Sequence, residues 1–255
     1  MSRRKRKRKS HSFFEIIFWL CLVIISTYFV VNIFIIKPHI FYPGFQIEIP
    51  SGYDIHGIDV SRYQSVVNWK EVKNMDDNGI KIGFAFIKAT EGTSIVDEQF
   101  RRNWIQAEEQ NIPKGAYHFF VPGRNAQRQA NNFIQIVNLK EGDLPPVIDV
   151  EKSGKISVTE LQKEVKAWLN AVENHYKVKP IIYTNIDFYQ RYFQTGFEEY
   201  PLWIAHYLQP DKPRIETKWN FWQHNENGRV DGINGPVDFN VFNGDSIDFN
   251  ELLIR

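Results

Sequence analysis

The feature that most constrains the fold of this chain is an alternation of short apolar runs with longer amphipathic segments, beginning near residue 55. The short runs have the length and residue types of buried strands, whereas the longer segments repeat apolar residues at three- and four-residue intervals. This alternation is typical of a mainly parallel sheet with crossover helices. Strands are predicted at 55–60, 82–89, 115–121, 146–150, 180–184 and 202–206, and helices at 69–77, 98–110, 124–137, 158–176 and 187–193.

The pattern weakens in the last third of the chain. From Lys218 onward, Gly, Asn and aromatic residues become frequent and the helical spacing fades, which indicates irregular strands. The length of 255 residues fits one α/β domain with an appendage. A complete eightfold barrel is therefore not expected from the periodicity alone.

The first 36 residues differ in character from the rest. Residues 3–9 are an unbroken basic run, and the 21 residues of 16–36 have no charge. A run of that length matches the hydrocarbon core of a bilayer, and basic flanks stay cytoplasmic. We expect a basic cytoplasmic tail at 1–12, a transmembrane helix at 13–36 and a juxtamembrane tether at 37–53. The domain over 54–255 would then lie on the periplasmic or extracellular side.

Two other interpretations of this segment are disfavoured. A cleaved signal peptide usually has a shorter apolar run, and no Ala-x-Ala-like site occurs before Lys37. A lipid anchor on Cys21 would need small residues ahead of it, where the chain has Trp19 and Leu20. As the only cysteine, Cys21 also excludes a disulfide framework.

The net charge of +1 conceals an asymmetry along the chain. Seven of the 31 basic residues lie in the run 3–9, so 24 bases face 30 acids elsewhere. A domain with this excess of acids lacks the basic surface that binds nucleic acid, and no nucleic-acid partner is expected.

Two carboxylates end one of the predicted strands. Asp149 and Glu151 follow an apolar run and are separated by one residue. Side chains at i and i+2 of a strand point to the same face, with Cα atoms roughly 6.5 Å apart. Such a pair raises each other's pKa, so one carboxylate can stay ionised while the other donates a proton, as glycoside hydrolysis requires. Alternatively, both are solvated residues where a strand enters a loop.

A second predicted strand also ends in an acidic residue. Asp59 lies near the carboxyl end of the strand at 55–60. Because ligands bind at the carboxyl ends of parallel strands, Asp59 is expected to face the same pocket as Asp149. The alternative is a capping role before the helix near Trp69.

Eight short segments, taken in chain order, resemble the lysozymes of glycoside hydrolase family 25. They are 57–61 with Gln64, 86–92, 115–119, 146–151, 180–183, 202–205, 222–223 and 237–242. The resemblance implies an α/β fold, a flattened or incomplete (β/α) barrel with mainly parallel strands. It also implies cleavage of the β-1,4 bond between N-acetylmuramic acid and N-acetylglucosamine in peptidoglycan, for cell-wall turnover or remodelling.

The resemblance also assigns roles to four acidic residues. By position, Glu151 matches the family's general acid and Asp149 its partner carboxylate. Asp59 and Asp238 match two further acidic positions that line the groove. Glu91 is a rival acid, but pairing with Lys88 in a supporting role is favoured for it.

Two mechanisms are compatible with these carboxylates. In the first, Glu151 protonates the departing oxygen while Asp149 assists the N-acetyl group of the sugar, which attacks its own anomeric carbon. In the second, Asp149 or Asp59 activates water and the anomeric configuration inverts.

Aromatic and amide side chains near the predicted strand ends are candidates for binding sugar. Aromatic faces stack on sugar rings, although most aromatic residues simply fill a core. Amides can hydrogen bond to acetamido groups. The candidates are Tyr117 and Tyr183 first, then Trp203 and Trp222, with Gln64, Gln223 and Glu91 as polar neighbours.

Two other classes of function are weighed. His118, His206 and His224 invite a metal-dependent deacetylase with Asp59 and Asp149, but no close ligand spacing supports it, so no metal or cofactor is expected. A non-catalytic peptidoglycan-binding module on the same fold is the second alternative, disfavoured because buried paired carboxylates cost desolvation energy. The expected partners are glycan strands and, through the amino-terminal helix, a membrane, with the protein as a monomer.

Overall fold

The computed structural model describes residues 13–31 and 39–255, which belong to two separate units divided after Pro38. In the first unit, helix α1 (Phe13–Val30) has 18 residues with Glu15 as its only charge. Within the described ranges, no helix is long and apolar enough to cross a membrane. The predicted transmembrane helix at 13–36 is therefore not supported. Residues 1–12 and 32–36 of these predictions lie outside the described residues.

The segment predicted as a tether is largely part of the folded domain. Strands β1 (His39–Tyr42) and β2 (Ile47–Pro50) form an antiparallel hairpin. Phe45 in its turn is fully buried, with its ring centroid 5.0 Å from that of Phe239. The prediction of a tether at 37–53 is corrected over 39–50, because this stretch forms a hairpin whose Phe45, Ile47 and Ile49 are buried in the domain core.

The second unit is built around a closed ring of strands. Among residues 39–255, the ring strands are β3 (His56–Val60), β4 (Ile82–Glu91), β6 (Lys114–Phe119), β7 (Val147–Asp149), β8 (Ile181–Asn185), β9 (Leu202–Ala205), β10 (Phe221–Gly228) and β11 (Val237–Phe242). The ring closes because β3 pairs with both β4 and β11. Neighbours from β3 through β10 are parallel, whereas β11 is antiparallel to both of its neighbours. The short β5 (Ile95–Val96) pairs with the end of β4.

Helices surround only part of this ring. They are α2 (Trp69–Asn74), α3 (Phe100–Glu109), α4 (Ala126–Ile136), α5 (Val158–Tyr176), α6 (Ile186–Tyr192) and α7 (Ser246–Leu252). Each predicted strand and helix overlaps an observed one. In the described domain, no helix lies between β9 and β11, as the fading periodicity predicts. The helical layer is therefore incomplete, but the strand ring is complete, which the periodicity did not predict.

Aromatic side chains fill the interior of the ring. Phe84 and Phe86 of β4 point inward, and Phe86 stacks on Trp203 with ring centroids 4.2 Å apart. Gly57 and Gly115 face these rings. A Cβ atom on Gly57 would lie 2.5 Å from the Phe84 ring, and one on Gly115 would lie 2.7 Å from the Phe86 ring. The glycines make room for a packed floor, so polar side chains can collect only above it.

Candidate active site

Four acidic side chains meet above the aromatic floor, at the carboxyl ends of the parallel strands. Asp59 follows Gly57 on the inner face of β3, and Asp149 is the last residue of β7, with Glu151 two positions beyond. Asp238 reaches the same edge because β11 runs antiparallel and begins there. All four line one cleft of about 460 Å³, which the strand-end argument predicts for Asp59, Asp149 and Glu151 and the family resemblance for Asp238.

Asp149 and Glu151 form the less satisfied of two acidic pairs. Asp149 is buried, and its Oδ1 has no hydrogen-bond partner among the described residues. Burial raises the pKa of Asp149 well above its usual range, and the charge of Glu151 raises it further. Burial also raises the pKa of Glu151, while a contact with Tyr183 and the charges of Lys152 and Lys88 oppose that rise. The pair therefore retains a proton to higher pH than ordinary carboxyl groups.

Asp59 and Asp238 form the second pair, directly opposite each other on β3 and β11. The Oδ2 atom of Asp59 accepts hydrogen bonds from Gln223 Nε2 and Asn240 Nδ2, both at 2.8 Å. Burial raises the pKa of both acids, and the larger rise is at Asp238, where the charge of Asp59 adds to it. Asp238 therefore holds the proton and hydrogen bonds to an ionised Asp59.

Gln223 connects Asp59 to the side of the cleft that contains Glu151. Because its Nε2 donates to Asp59, its Oε1 must accept, and it accepts from Tyr183 at 2.8 Å and Tyr207 at 2.6 Å. The Tyr183 oxygen lies 3.5 Å from Glu151 Oε1. Since a hydroxyl donates one proton, Tyr183 donates either to Gln223, at the shorter distance, or to Glu151.

Other predicted binding residues also line the cleft. Tyr117, Tyr183, Trp203, Gln64, Glu91 and Gln223 do so. Lys88 Nζ donates to Glu91 Oε2 at 2.7 Å, which is the supporting pair that the sequence favours over an acid role for Glu91. The amide of Gln64 is held by backbone groups, because its Oε1 accepts from Ser61 N at 3.0 Å.

Trp222 is the exception among the predicted binding residues. It is fully buried in the outer core, and its Nε1 donates to the His206 carbonyl at 2.8 Å. Its neighbours Phe221 and Gln223 face the interior of the ring, so Trp222 must face outward. The prediction that Trp222 binds substrate is corrected for this reason.

The sequence reasoning gave no binding role to three residues that help to form the site. Lys88 lines the cleft and lowers the pKa of both Asp149 and Glu151. Tyr207 donates to Gln223, and Asn240 joins Asp59 to Trp203 Nε1, which donates to Asn240 Oδ1 at 2.7 Å. Lys88 and Asn240 belong to segments 86–92 and 237–242. Their positions on the inward faces of strands could have indicated that they contribute to the site.

The histidines considered as metal ligands do not gather at the cleft. His118 is buried against Thr90 Oγ1 at 2.7 Å, and burial lowers its pKa to about 3. His206 Nδ1 accepts from Arg214 N at 3.2 Å. In the ranges 13–31 and 39–255, no group of three or more His, Cys, Asp or Glu side chains is arranged to hold a metal.

A strand ring with paired carboxylates at its mouth defines the class as a glycoside hydrolase. The family model of glycosyl hydrolases family 25 matches residues 58–233. The uncharacterized protein YegX of Escherichia coli K12 is 52% identical over 201 residues, covering 79% of this chain and 74% of YegX. Lysozyme M1 of Streptomyces globisporus is 34% identical over 207 residues, covering 74% of this chain and 68% of the lysozyme.

Solved structures agree with the sequence comparisons. A family 25 glycosyl hydrolase from Bacillus anthracis matches with a TM-score of 0.73 and 33% identity, covering 79% of this chain and 94% of that one. The bacterial lysozyme of Streptomyces coelicolor matches with a TM-score of 0.70 and 31% identity, covering 78% and 96%. The chain belongs to glycosyl hydrolase family 25.

Proposed function

We propose that the protein is a lysozyme that cleaves the β-1,4 bond between N-acetylmuramic acid and N-acetylglucosamine in peptidoglycan. Its relatives include Lysozyme M1 and two N,O-diacetylmuramidases. The observation that supports the proposal most is the position of Asp149 and Glu151 in one cleft, both with raised pKa. Two carboxyl groups with one shared proton provide an acid and a charge for the oxocarbenium-like transition state.

The different surroundings of the two acids suggest how the proton is placed. In the free cleft, deeper burial favours the neutral form of Asp149. A substrate N–H that donates to the unpartnered Oδ1 of Asp149 would stabilise its ionised form. The proton of the pair then belongs to Glu151, which is half-exposed to the cleft. Substrate binding thus places the shared proton on Glu151, the general acid.

The chemical step follows from that arrangement. Glu151 donates its proton to the glycosidic oxygen as the bond between this oxygen and the anomeric carbon breaks. The acetamido oxygen of the same sugar forms a bond to the anomeric carbon, while ionised Asp149 holds the acetamido N–H. Water then attacks the anomeric carbon, the acetamido oxygen leaves, and the carboxylate of Glu151 accepts a proton from the water.

Inversion by a water molecule is the competing mechanism. Asp59 is a weak base for this role, because its Oδ2 already accepts two amide hydrogen bonds and it is bonded to Asp238. Asp149 Oδ1, which has no partner among the described residues, is available to either mechanism, as the acceptor of the acetamido N–H or as a base. NMR of the first product distinguishes the mechanisms: a β-configured product supports substrate assistance, and an α-configured product excludes it.

Release of reducing ends from purified peptidoglycan tests the proposed activity. Wild-type protein should release them, and Glu151→Gln should not. The second candidate function is a binding module without turnover, and wall binding without reducing-end release would favour it over the lysozyme. Activity that survives excess chelator would argue further against a metal-dependent deacetylase.

The proposed substrate also suggests where the enzyme works. We infer that the domain over 39–255 acts outside the cytoplasmic membrane, where peptidoglycan lies, in turnover or remodelling of the wall. Protease added to intact spheroplasts should degrade the domain while a cytoplasmic marker survives, and protection of both proteins would contradict the inference.

A further inference from the structure

The catalytic cleft is flanked by a second compartment on the far side of Glu151. This compartment has a volume of about 620 Å³ and shares Glu151 and Lys152 with the cleft. The loop after β7 forms one wall with Ser153, and helix α6 forms the other with Arg191 and Tyr192. The two spaces therefore adjoin at Glu151 and Lys152.

A third space continues the cleft at its opposite end. It has a volume of about 370 Å³ and shares Tyr207 and Glu226 with the cleft. Leu208, at the rim of this space, is 96% exposed. The three spaces together form a groove longer than one sugar ring, with the acid off centre.

The position of Glu151 indicates which way a glycan strand runs along this groove. A general acid protonates the oxygen of the leaving group, so the leaving sugar lies on the acid's side of the broken bond. Asp149, Asp59 and Asp238 lie on the side of the cleft away from the second compartment, and none of them lines that compartment. This step rests on the proposed function, because it takes Glu151 as the acid.

We propose that the second compartment binds the leaving-group part of the glycan, so that the reducing end of the bound strand lies over α6. Tyr192 is the platform for the leaving sugar. Its ring is partly exposed, packs 4.3 Å from Phe188 between centroids, and is fixed at its hydroxyl by Ser153. A ring held at its back and edge offers one face to a sugar.

The charges of the compartment define the substituents that it accepts. Lys152 and Arg191 are exposed cations, and the carboxyl groups of the compartment are those of Asp187 and of Glu151, the proposed proton donor. The ligand class is an N-acetylhexosamine chain with carboxylates, from lactyl groups or stem peptides, on its reducing-end side. Arg191 suits this role because its planar guanidinium matches a carboxylate.

Soluble peptidoglycan glycans of defined length test the direction of binding. One series is extended by a disaccharide on the reducing side of the cleaved bond, and the other on the non-reducing side. Mass spectrometry of end-labelled products identifies each bond cleaved. Wild-type kcat/KM should rise with each extension, and Tyr192→Ala should lose about fivefold to tenfold of the reducing-side gain alone. Tyr192→Phe should keep that gain, and Leu208→Ala should leave it unchanged.

A second comparison tests the charge preference. Arg191→Gln should weaken turnover of the reducing-side series several-fold, and should have no effect after the glycan carboxylates are converted to amides. Arg128→Gln, an exposed arginine on α4 remote from the groove, is the matched control. An equal loss in both series for Tyr192→Ala, or a loss confined to the non-reducing series, would overturn the proposed direction.

Binding measurements separate this proposal from the proposed activity. The same two series are titrated into Glu151→Gln, with and without Tyr192→Ala. If the wild type cleaves no fragment, the lysozyme proposal fails, yet selective loss of affinity for the reducing-side series still supports the compartment. If the wild type cleaves fragments and Tyr192 affects neither binding nor turnover, the compartment fails alone.

Discussion

The two acidic pairs at the mouth of the barrel are built from the same chemistry but differ in their surroundings. Asp149 ends β7 and Glu151 lies two positions beyond it, whereas Asp59 and Asp238 face each other across two strands. Burial raises the pKa of all four. Asp59 accepts two amide hydrogen bonds, whereas Asp149 has a buried oxygen that accepts none from the described residues.

This difference shows that one acidic pair supports the cleft, whereas the other is available to the substrate. Asp59, which is hydrogen bonded to Asp238, holds the amides of Gln223 and Asn240 in one orientation and so fixes the walls of the cleft. Asp149 and Glu151 keep unused hydrogen-bonding capacity that a substrate can fill. Sites with unsatisfied polar groups are expected to sacrifice stability for function.

The largest effect should come from Glu151→Gln. The amide retains the shape of the acid but has no proton to donate, so kcat/KM for reducing-end release should fall by about 10³-fold. Circular dichroism and the melting temperature should match the wild type. Activity within tenfold of wild type would transfer the acid role to another residue, with Glu91 as the first candidate.

Asp149→Asn should lower activity but raise the stability of the fold. Loss of the charge beside the acetamido group should lower kcat by about 10²-fold. Because burial raises the folded-state pKa of Asp149, its ionisation destabilises the fold as pH rises above the unfolded value. The neutral amide avoids this penalty, so the variant should melt about 2–4 °C higher at pH 7, equivalent to about 1 kcal/mol. A lower melting temperature would mean that Asp149 has stabilising contacts.

Asp59→Asn, by contrast, should lower the stability of the fold. Gln223 and Asn240 both donate to Oδ2, so the amide oxygen of Asn can keep those two bonds, and its NH2 group then faces Asp238, which is hydrogen bonded to Asp59. The NH2 group and the proton of Asp238 both need an acceptor there, so unfolding free energy should fall by about 1–3 kcal/mol, and activity should fall about tenfold as the side chains of this pair shift. Denaturant titration measures the first effect. Equal stability changes in the two aspartate variants would abolish the distinction between the pairs.

Part of this site was predictable from sequence, and the reasons are local. The spacing of Asp149 and Glu151 and the direction of parallel strands were enough to bring Asp59 into the same cleft. Trp222 was misplaced because a strand alternates its faces, and a shift of one residue exchanges them. Closure of the ring was not predictable, because β3 meets β11 across nearly the whole domain and no short-range pattern records that pairing.

The pH dependence should reveal the shared proton of the reactive pair. Because the reaction needs one proton on the pair and burial raises the pKa of both members, kcat/KM should be highest between the two steps of the pair, fall below the lower step, and fall tenfold per pH unit above the upper step. In Asp149→Asn, one ionisable group replaces two and the upper step disappears. The remaining activity should therefore begin to fall at lower pH than in the wild type. An unmoved alkaline limb would assign it to a group outside the pair.

The smallest predicted effect tests the link between the two pairs. Tyr207→Phe removes one of the two hydroxyl donors to Gln223 Oε1 and leaves Tyr183 in place. Because Gln223 is still held by Asp59 and Tyr183, stability should fall by only about 0.5–1.5 kcal/mol and turnover by about twofold to threefold. Tyr183→Phe, by contrast, removes the oxygen that faces Glu151 and should also move the alkaline limb. Identical pH profiles for the two variants would mean that loss of the Tyr183 hydroxyl does not change the pKa of Glu151.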